Sequence, residues 1–375
     1  GHQNKASDIH IEPYEKKIVV RFRIDGMMHD VLEIPKDYLE FVLTRIKILA
    51  KIRTDEHRAA QDGKIRFETD GETIDVRVSI VPVTQGENVV MRLLSSQNRQ
   101  FSLSSLGLLD DDLKKVKRAL KNPHGMILVT GPTGSGKTTS LYAVMKILNK
   151  REIHISTIED PVEYDIEGIS QIQVNNKTHL SFAKGLRSIV RQDPDIIMVG
   201  EIRDKETAGI AVNSALTGHL VLSTLHTNDA ATTLPRLLDM DVEPFLVTST
   251  VNVVIAQRLV RKICMKCRIS YSPEEKEMEI LPDEIKKKLK EEKKRIYKGG
   301  GCKNCGDTGY DGRIGVFEVL EMSDNIKALI MKNASSGEIA TVARKNGMVT
   351  MMEDGMEKVY QGMTTLEEVL RVTRE

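Results

Sequence analysis

Gly131, Pro132, Thr133, Gly134, Ser135, Gly136, Lys137 and Thr138 fit the pattern G-x-x-x-x-G-K-[ST]. Glycines let the backbone fold around a phosphate, and the helix that follows turns unpaired N–H groups toward the same anion. Lys137 would reach the β- and γ-oxygens of a nucleotide such as ATP, Thr138 would ligate Mg²⁺, and Thr139 continues the loop. The apolar run Met126–Thr130 precedes the loop, and a helical stripe of Leu141, Val144, Met145 and Leu148 follows it. That is the strand–loop–helix setting the motif requires.

Three more polar clusters border apolar runs. Asp195-Ile-Ile-Met-Val-Gly-Glu201 delivers Glu201 to the C-terminal edge of a strand, where α/β sheets bind ligands, while Asp195 sits at the entrance. Glu201 is therefore a candidate to hold Mg²⁺ or its water. Glu159, Asp160 and Glu163 follow the run ending at Ile158, and His219 and His226 bracket the run Leu220–Thr224. Alone, these read as loop carboxylates and structural histidines. At the same sheet edge as the phosphate loop they become site candidates.

Cys264-Met-Lys-Cys267 and Cys302-Lys-Asn-Cys305 are two C-x₂-C pairs, and they contain all four cysteines. Four thiolates make a closed tetrahedral Zn²⁺ site, structural because no coordination position stays open. The separation of the pairs is longer than in common zinc ribbons, so unmetallated thiols or a redox pair remain alternatives. No cysteine lies elsewhere, so there is no chain-wide disulfide framework and a reducing compartment fits.

The elements that must position these groups follow from periodicity. Residues 1–97 alternate like strands at Ile18–Ile24, Thr73–Ile80 and Asn88–Leu94, with a hairpin turn at Asp25-Gly26 and a helical stripe over Lys36–Lys51. They form a small α+β domain. Residues 98–125 read as a linker with one short helix. In 126–260, runs at Met126–Thr130, Ile153–Ile158, Ile196–Val199 and Leu220–Ser223 alternate with helices, as in a mostly parallel α/β sheet. Residues 261–313 hold the cysteines and a charged helix candidate, Glu284–Lys298. Residues 314–375 read as wholly helical, with Ser323, Ser335 and Thr365 as N-caps.

The 375 residues carry 55 Lys+Arg against 54 Asp+Glu and are 40% hydrophobic, which excludes a disordered or fibrous chain. No apolar run approaches the ~20 residues of a membrane span. Near-zero net charge and 4% aromatics give no footprint for nucleic acid. Gly1-His2 in place of an initiating Met reads as a processing scar, so the natural chain is expected to extend upstream.

With these segments in this order, the chain resembles the secretion ATPases of type II secretion and type IV pilus assembly, from Ala6-Ser-Asp-Ile-His-Ile-Glu12 to the C-terminal helices. The matching segments are the phosphate loop, an aspartate box Thr157–Glu163, the acidic strand Asp195–Asp204, a histidine box Thr217–His226 and the tetracysteine module. The resemblance implies a PAS-like N-terminal α+β lobe, a RecA-like P-loop ATPase lobe and a homohexameric ring with ATP between the lobes. It implies Glu163 as the carboxylate that activates water, with Glu159 as rival, Glu201 in the acidic strand and His226 as the γ-phosphate sensor. Arginines of the N-terminal lobe would approach the developing charge, Arg77 and Arg92 first and Arg23 next. Location would be cytoplasmic, peripheral at the inner membrane through a platform protein and its recruitment factors. The cysteine module points to assembly or export rather than pilus retraction, and the run from Gly301 to Gly315 leans to pilus assembly over type II secretion.

Two other classes compete: a RecA-like motor on nucleic acid, and a nucleotide-gated scaffold without turnover. The first would need basic, aromatic-interleaved loops, which are absent from the sequence; the second fits poorly with both Glu163 and Glu201 in place. The charge balance hides one asymmetry. Residues 261–313 hold 15 basic against 10 acidic side chains, so this segment, through Lys286, Lys287 and Lys288, is expected to face an acidic partner or the anionic cytoplasmic leaflet.

Overall fold

The structure, a computed structural model, describes residues 1–69, 72–94, 102–272, 286 and 295–373. The chain divides into two compact units, Gly1–Gln100 and Phe101–Glu375.

The first unit is a six-stranded antiparallel sheet of β1 (Asp8–Pro13), β2 (Lys17–Ile24), β3 (Met27–Pro35), β4 (Gln61–Thr69), β5 (Glu72–Val83) and β6 (Gly86–Leu94). The strand order is β3-β2-β1-β6-β5-β4. On β5, Ile74, Val76, Val78 and Ile80 are buried at every second position, so Arg77 faces away from that core. Helix α1 (Leu39–Ala50) packs Leu39, Leu43, Ile46 and Ala50 into the same core. It is pinned by the buried pair Lys47–Glu87 at 2.8 Å. Asp25 and Gly26 both take positive φ (49° and 88°), as a two-residue hairpin turn demands.

The second unit is built on a seven-stranded sheet: β7 (Gly125–Thr130), β8 (Ile155–Glu159), β9 (Ile169–Gln173), β10 (Ile196–Val199), β11 (Leu220–Leu225), β12 (Val251–Ile263) and β15 (Tyr310–Glu321). The order is β15-β12-β7-β11-β10-β8-β9, parallel except for the β12–β15 pair. Helices cover both faces: α2 (Asp110–Ala119), α3 (Lys137–Leu148), α4 (Phe182–Ile189), α5 (Lys205–Leu216), α6 (Ala230–Asp239) and α7 (Pro244–Thr250). Successive residues of β7 feed opposite cores, Met126 and Leu128 one, Ile127 and Val129 the other. A strand buried on both faces reads as a continuous apolar run.

The region 314–375 does not begin as helix: β15 runs to Glu321 and pairs residue by residue with β12, from Val253↔Glu321 to Arg261↔Arg313. Val316–Leu320 is buried on both faces and carries no strand alternation. Both strands also run through positions 260/261 and 313/314, the bounds expected for the cysteine segment. Four helices follow, Asp324–Met331, Ser336–Lys345, Met351–Tyr360 and Leu366–Thr373. Ser335 closes a capping box, Thr365 Oγ1 accepts from Glu368 N, and Ser323 makes no side-chain cap. In the charged stretch Glu284–Lys298, the end is strand, β14 (Ile296–Gly299), paired with β13 (Arg268–Tyr271). Positions 284, 285 and 287–294, with Lys287 and Lys288, lie outside the described residues. Among the described residues no helix is long and apolar enough to cross a membrane.

The last helix is tied to β12 by an ion cluster around the buried Glu368. Glu368 accepts from Arg261 N and Nη2 (2.9 and 2.8 Å) and from Arg371 Nε and Nη2 (2.9 and 2.8 Å). Burial pushes its carboxyl up, but these donors outweigh it and hold the group at about 2. A depressed carboxylate stabilises above its unfolded value, 4.5, and loses that contribution as pH falls toward 2. Glu368→Gln is therefore expected to lower stability by roughly 2–3 kcal/mol at pH 7. Denaturant titrations should show that difference shrinking between pH 4.5 and 2; a pH-independent gap would contradict the ion-pair account.

Candidate functional site

The parallel sheet brings four sequence segments to one edge. β8, β10, β11 and β7 are neighbours, and at their C-terminal ends stand Glu159, Glu201, His226 and the phosphate loop. Loop residues Gly131, Gly134 and Gly136 take φ of 144°, 79° and 89°. A Cβ on Gly131 would meet Gln257 O at 2.4 Å, and one on Gly136 would meet Gln257 Nε2 at 2.8 Å. Only glycine fits that turn beside β12. The loop is fixed by Ser140 Oγ donating to Gln257 Oε1 (2.6 Å). Thr130 and Thr227, in hydroxyl contact at 2.6 Å, tie β7 to the turn after β11.

Lys137 opens α3 and donates to Gly131 O (2.7 Å) and Pro132 O (3.1 Å). Burial lowers its pKa from the ordinary lysine value, and the Glu201 charge opposes that shift. Glu201 Oε2 forms an ion pair with Arg203 Nε at 2.6 Å and stands 3.2 Å from His226 Nε2. Pro132, Thr133 and Gly134 are exposed, Ser135 is buried, and Thr138 and Thr139 are half-buried. The phosphate loop, Glu201 and His226 thus form one charged cluster, joined by Arg203, a residue the sequence motifs do not single out.

The rival carboxylates separate by environment. Glu159 is 2% exposed and accepts from Thr157 Oγ1 (2.6 Å), Tyr142 Oη (2.5 Å) and Gln171 Nε2 (3.1 Å). Glu163 is half-buried beyond the Asp160–Pro161 bond, and its backbone N–H donates to Tyr142 Oη (3.2 Å). Water can reach Glu163; Glu159 is spent on buried donors.

Arg23, Arg92 and Arg77 lie on a rung of the N-terminal sheet. Asp8 stands opposite Arg23 on one side and Arg92 on the other, and Arg92 stands opposite Arg77. Asp8 Oδ1 accepts from Arg92 Nε at 3.0 Å and Oδ2 lies 3.9 Å from Arg23 Nε. Arg23 Nη1 also donates to Gly26 O. Asp8, buried between two guanidinium groups, was not singled out in the sequence.

The cysteines converge. Their four Sγ atoms lie within 4.8 Å of one another, with Cys264–Cys302 and Cys267–Cys305 at 3.9 Å and Cys302–Cys305 at 3.7 Å. Four thiolates about 2.3 Å from a tetrahedral Zn²⁺ stand about 3.8 Å apart, so the donor set fits that ion. The N–H groups of Cys302 and Gly309 both donate to Cys305 Sγ at 3.3 Å, as the outer contacts of a metal-bound thiolate do. Backbones crowd here: a Cβ on Gly299 would meet Gly309 O at 2.0 Å.

The family model described as Type II/IV secretion system protein matches residues 2–371. Type II secretion system protein E of Pseudomonas aeruginosa is 47% identical over all of this chain and 73% of its own length. That of Xanthomonas campestris is 50% identical over 99% of the chain and 65% of its own length. Type IV pilus assembly ATPase PilB of Myxococcus xanthus is 47% identical over 98% and 65%. Among solved structures, the pilus retraction motor PilT with bound ADP superposes with a TM-score of 0.66 at 27% identity, over 100% of this chain and 95% of its own. The ATPase DotB of Legionella pneumophila shares the fold, with a TM-score of 0.71 at 21% identity over 99% and 92%. The chain belongs to the type II/IV secretion system protein family.

Proposed function

We propose that this chain is the ATP-hydrolysing motor of a type II secretion or type IV pilus assembly machine. It would act as a homohexamer at the cytoplasmic face of the inner membrane, docked to a platform protein and its recruitment factors. The observation that carries the hydrolytic reading is the convergence of the phosphate loop, the Glu201–His226 pair and the Glu159–Glu163 segment at one edge of the parallel sheet. In this reading Gly131–Thr139 cradle the phosphates, with Lys137 on the β/γ oxygens. Thr138 and Glu201 hold Mg²⁺, which neutralises charge on the phosphates. Glu163 takes the proton of the attacking water, His226 senses the γ-phosphate through its contact with Glu201, and Arg77, Arg92 and Arg23 come from the N-terminal unit of the same or a neighbouring copy. The four cysteines hold a structural Zn²⁺.

Identity to the secretion relatives (47% and 50%) and to the pilus relative (47%) does not separate the two machines. The test of the hydrolytic reading is phosphate release from Mg²⁺·ATP, with nucleotide binding followed separately by a fluorescent analogue. Glu163→Gln is expected to lower kcat by about 10²–10⁴ and to leave nucleotide affinity within a few fold. Turnover within tenfold of wild type would end the assignment of Glu163 as base. Wild-type turnover per chain should also rise with protein concentration, as shared sites in a ring require.

A further inference from the structure

The site described so far leaves one buried polar network unused. Tyr142 lies on α3 five residues past Lys137, about 7.5 Å along the helix. Its side chain is 1% exposed, yet its hydroxyl has a full set of partners. It donates to Glu159 Oε2 and accepts from Glu163 N (3.2 Å) and Gln171 Nε2 (3.3 Å). Burial and the Glu159 charge raise its pKa, so it keeps the proton it donates. Gln171 on β9 completes the clamp. Its Nε2 also reaches Tyr164 O (3.3 Å), and its Oε1 accepts from Ile166 N (2.7 Å). The Tyr142 ring meets Tyr164 edge-on at 4.7 Å. Tyr142 and Gln171 therefore hold the segment 163–166 at three backbone atoms and one ring. A buried network with all its members satisfied is rigid.

We propose that Tyr142 is a positioning residue: its hydroxyl, fixed by Glu159 and Gln171, joins the phosphate-loop helix to the backbone of Glu163 and so sets where the Glu163 carboxylate stands relative to the γ-phosphate. The inference rests on Glu163 acting on the attacking water. It gives the buried Glu159 a purpose distinct from proton transfer, as the acceptor that orients the Tyr142 hydroxyl. It also makes α3 a common ruler for both reaction partners, because Lys137 grips the phosphate at one end and Tyr142 holds the base-bearing segment further along. Displacement of a catalytic group by about 1 Å costs on the order of 10² in rate.

The experiment is a double-mutant cycle on the whole chain, with kcat and KM for Mg²⁺·ATP measured for wild type, Tyr142→Phe, Glu163→Gln and the double variant. Phenylalanine keeps the ring and its contact with Tyr164. The expected result is a kcat lowered roughly 10- to 100-fold by Tyr142→Phe, a KM within about twofold, and no further loss on adding it to Glu163→Gln. Gln171→Leu, which keeps most of the side-chain volume, is expected to lower kcat in the same direction and covers the case in which Tyr142→Phe does not fold. Wild-type kcat in a folded Tyr142→Phe, a change confined to KM, or losses that multiply in the double variant would each overturn the positioning role. Those outcomes leave Glu163 as base, provided Glu163→Gln is itself inactive. An active Glu163→Gln would overturn both readings at once.

Discussion

Lys137→Ala is expected to lower kcat/KM for ATP by about 10³ or more. The ammonium is the one buried cation of the loop, sitting on the carbonyls of Gly131 and Pro132 where it can swing to a phosphate oxygen. A preorganised charge in a water-poor cradle does far more for a developing negative charge than the same charge in solvent, and losing even one such donor costs about 10²–10³. Here the loss falls on binding as well, because the ground-state triphosphate uses the same cation. Both nucleotide affinity and kcat should therefore drop, unlike the pattern expected of Glu163→Gln. Circular dichroism and thermal melting should stay close to wild type, because the loop is held independently by Gln257 on Ser140 and by Thr227 on Thr130. Turnover within tenfold of wild type would remove the loop from the chemistry.

The largest expected effect on folding belongs to the cysteines. Protein prepared without chelator should carry one zinc per chain, and Cys302→Ser with Cys305→Ser should carry none. Structural zinc sites contribute apparent binding energies of about 10–16 kcal/mol. β13 and β14 form a two-stranded sheet, a pair that is marginal alone, and beyond the metal it leans on the C-terminal helices through Ile296 against Met356, Val359 and Leu370. Stripping the metal should open residues 261–313 to protease and lower the first thermal transition by roughly 10 °C or more. The parallel sheet, with cores on both faces, should survive. Affinity should weaken toward acid pH, since each thiol must lose its proton to bind. An unchanged melt and digestion pattern after metal removal would leave the cysteines as ordinary thiols.

The strands that carry the candidate groups were easier to read in the sequence than the edge strands of the same sheets. The former, β7, β8, β10 and β11, are covered on both faces, and that burial writes itself as unbroken apolar runs. Edge strands lack this mark. β9 reads Ile-Ser-Gln-Ile-Gln with Ser170 and Gln173 exposed, and β3 is exposed along most of its length, so neither shows in the pattern. β15 failed for the opposite reason, since Val-Phe-Glu-Val-Leu is buried throughout and fits helix or strand alike. Spacing could not divide Glu159 from Glu163, because both leave the same strand; the donors that occupy Glu159 come from α3 and β9. The rung of arginines was visible only as alternate positions on separate strands. That Asp8 falls between Arg23 and Arg92 depends on β1 lying between β2 and β6, an order that local pattern does not contain.

The pairing of β12 with β15 has a consequence for how the chain folds. β12 ends at Ile263, next to Cys264, and β15 begins at Tyr310, shortly after Cys305, with Ile263 and Tyr310 themselves in register. Between them the polypeptide makes a long excursion, and joining distant segments costs entropy before any contact repays it. In the proposed zinc-bound state the four thiolates would pinch that excursion closed at its neck. The edge strand would then zip onto the sheet from a local start, and whatever the excursion touches would pull directly on β12, the strand whose Gln257 holds the phosphate loop.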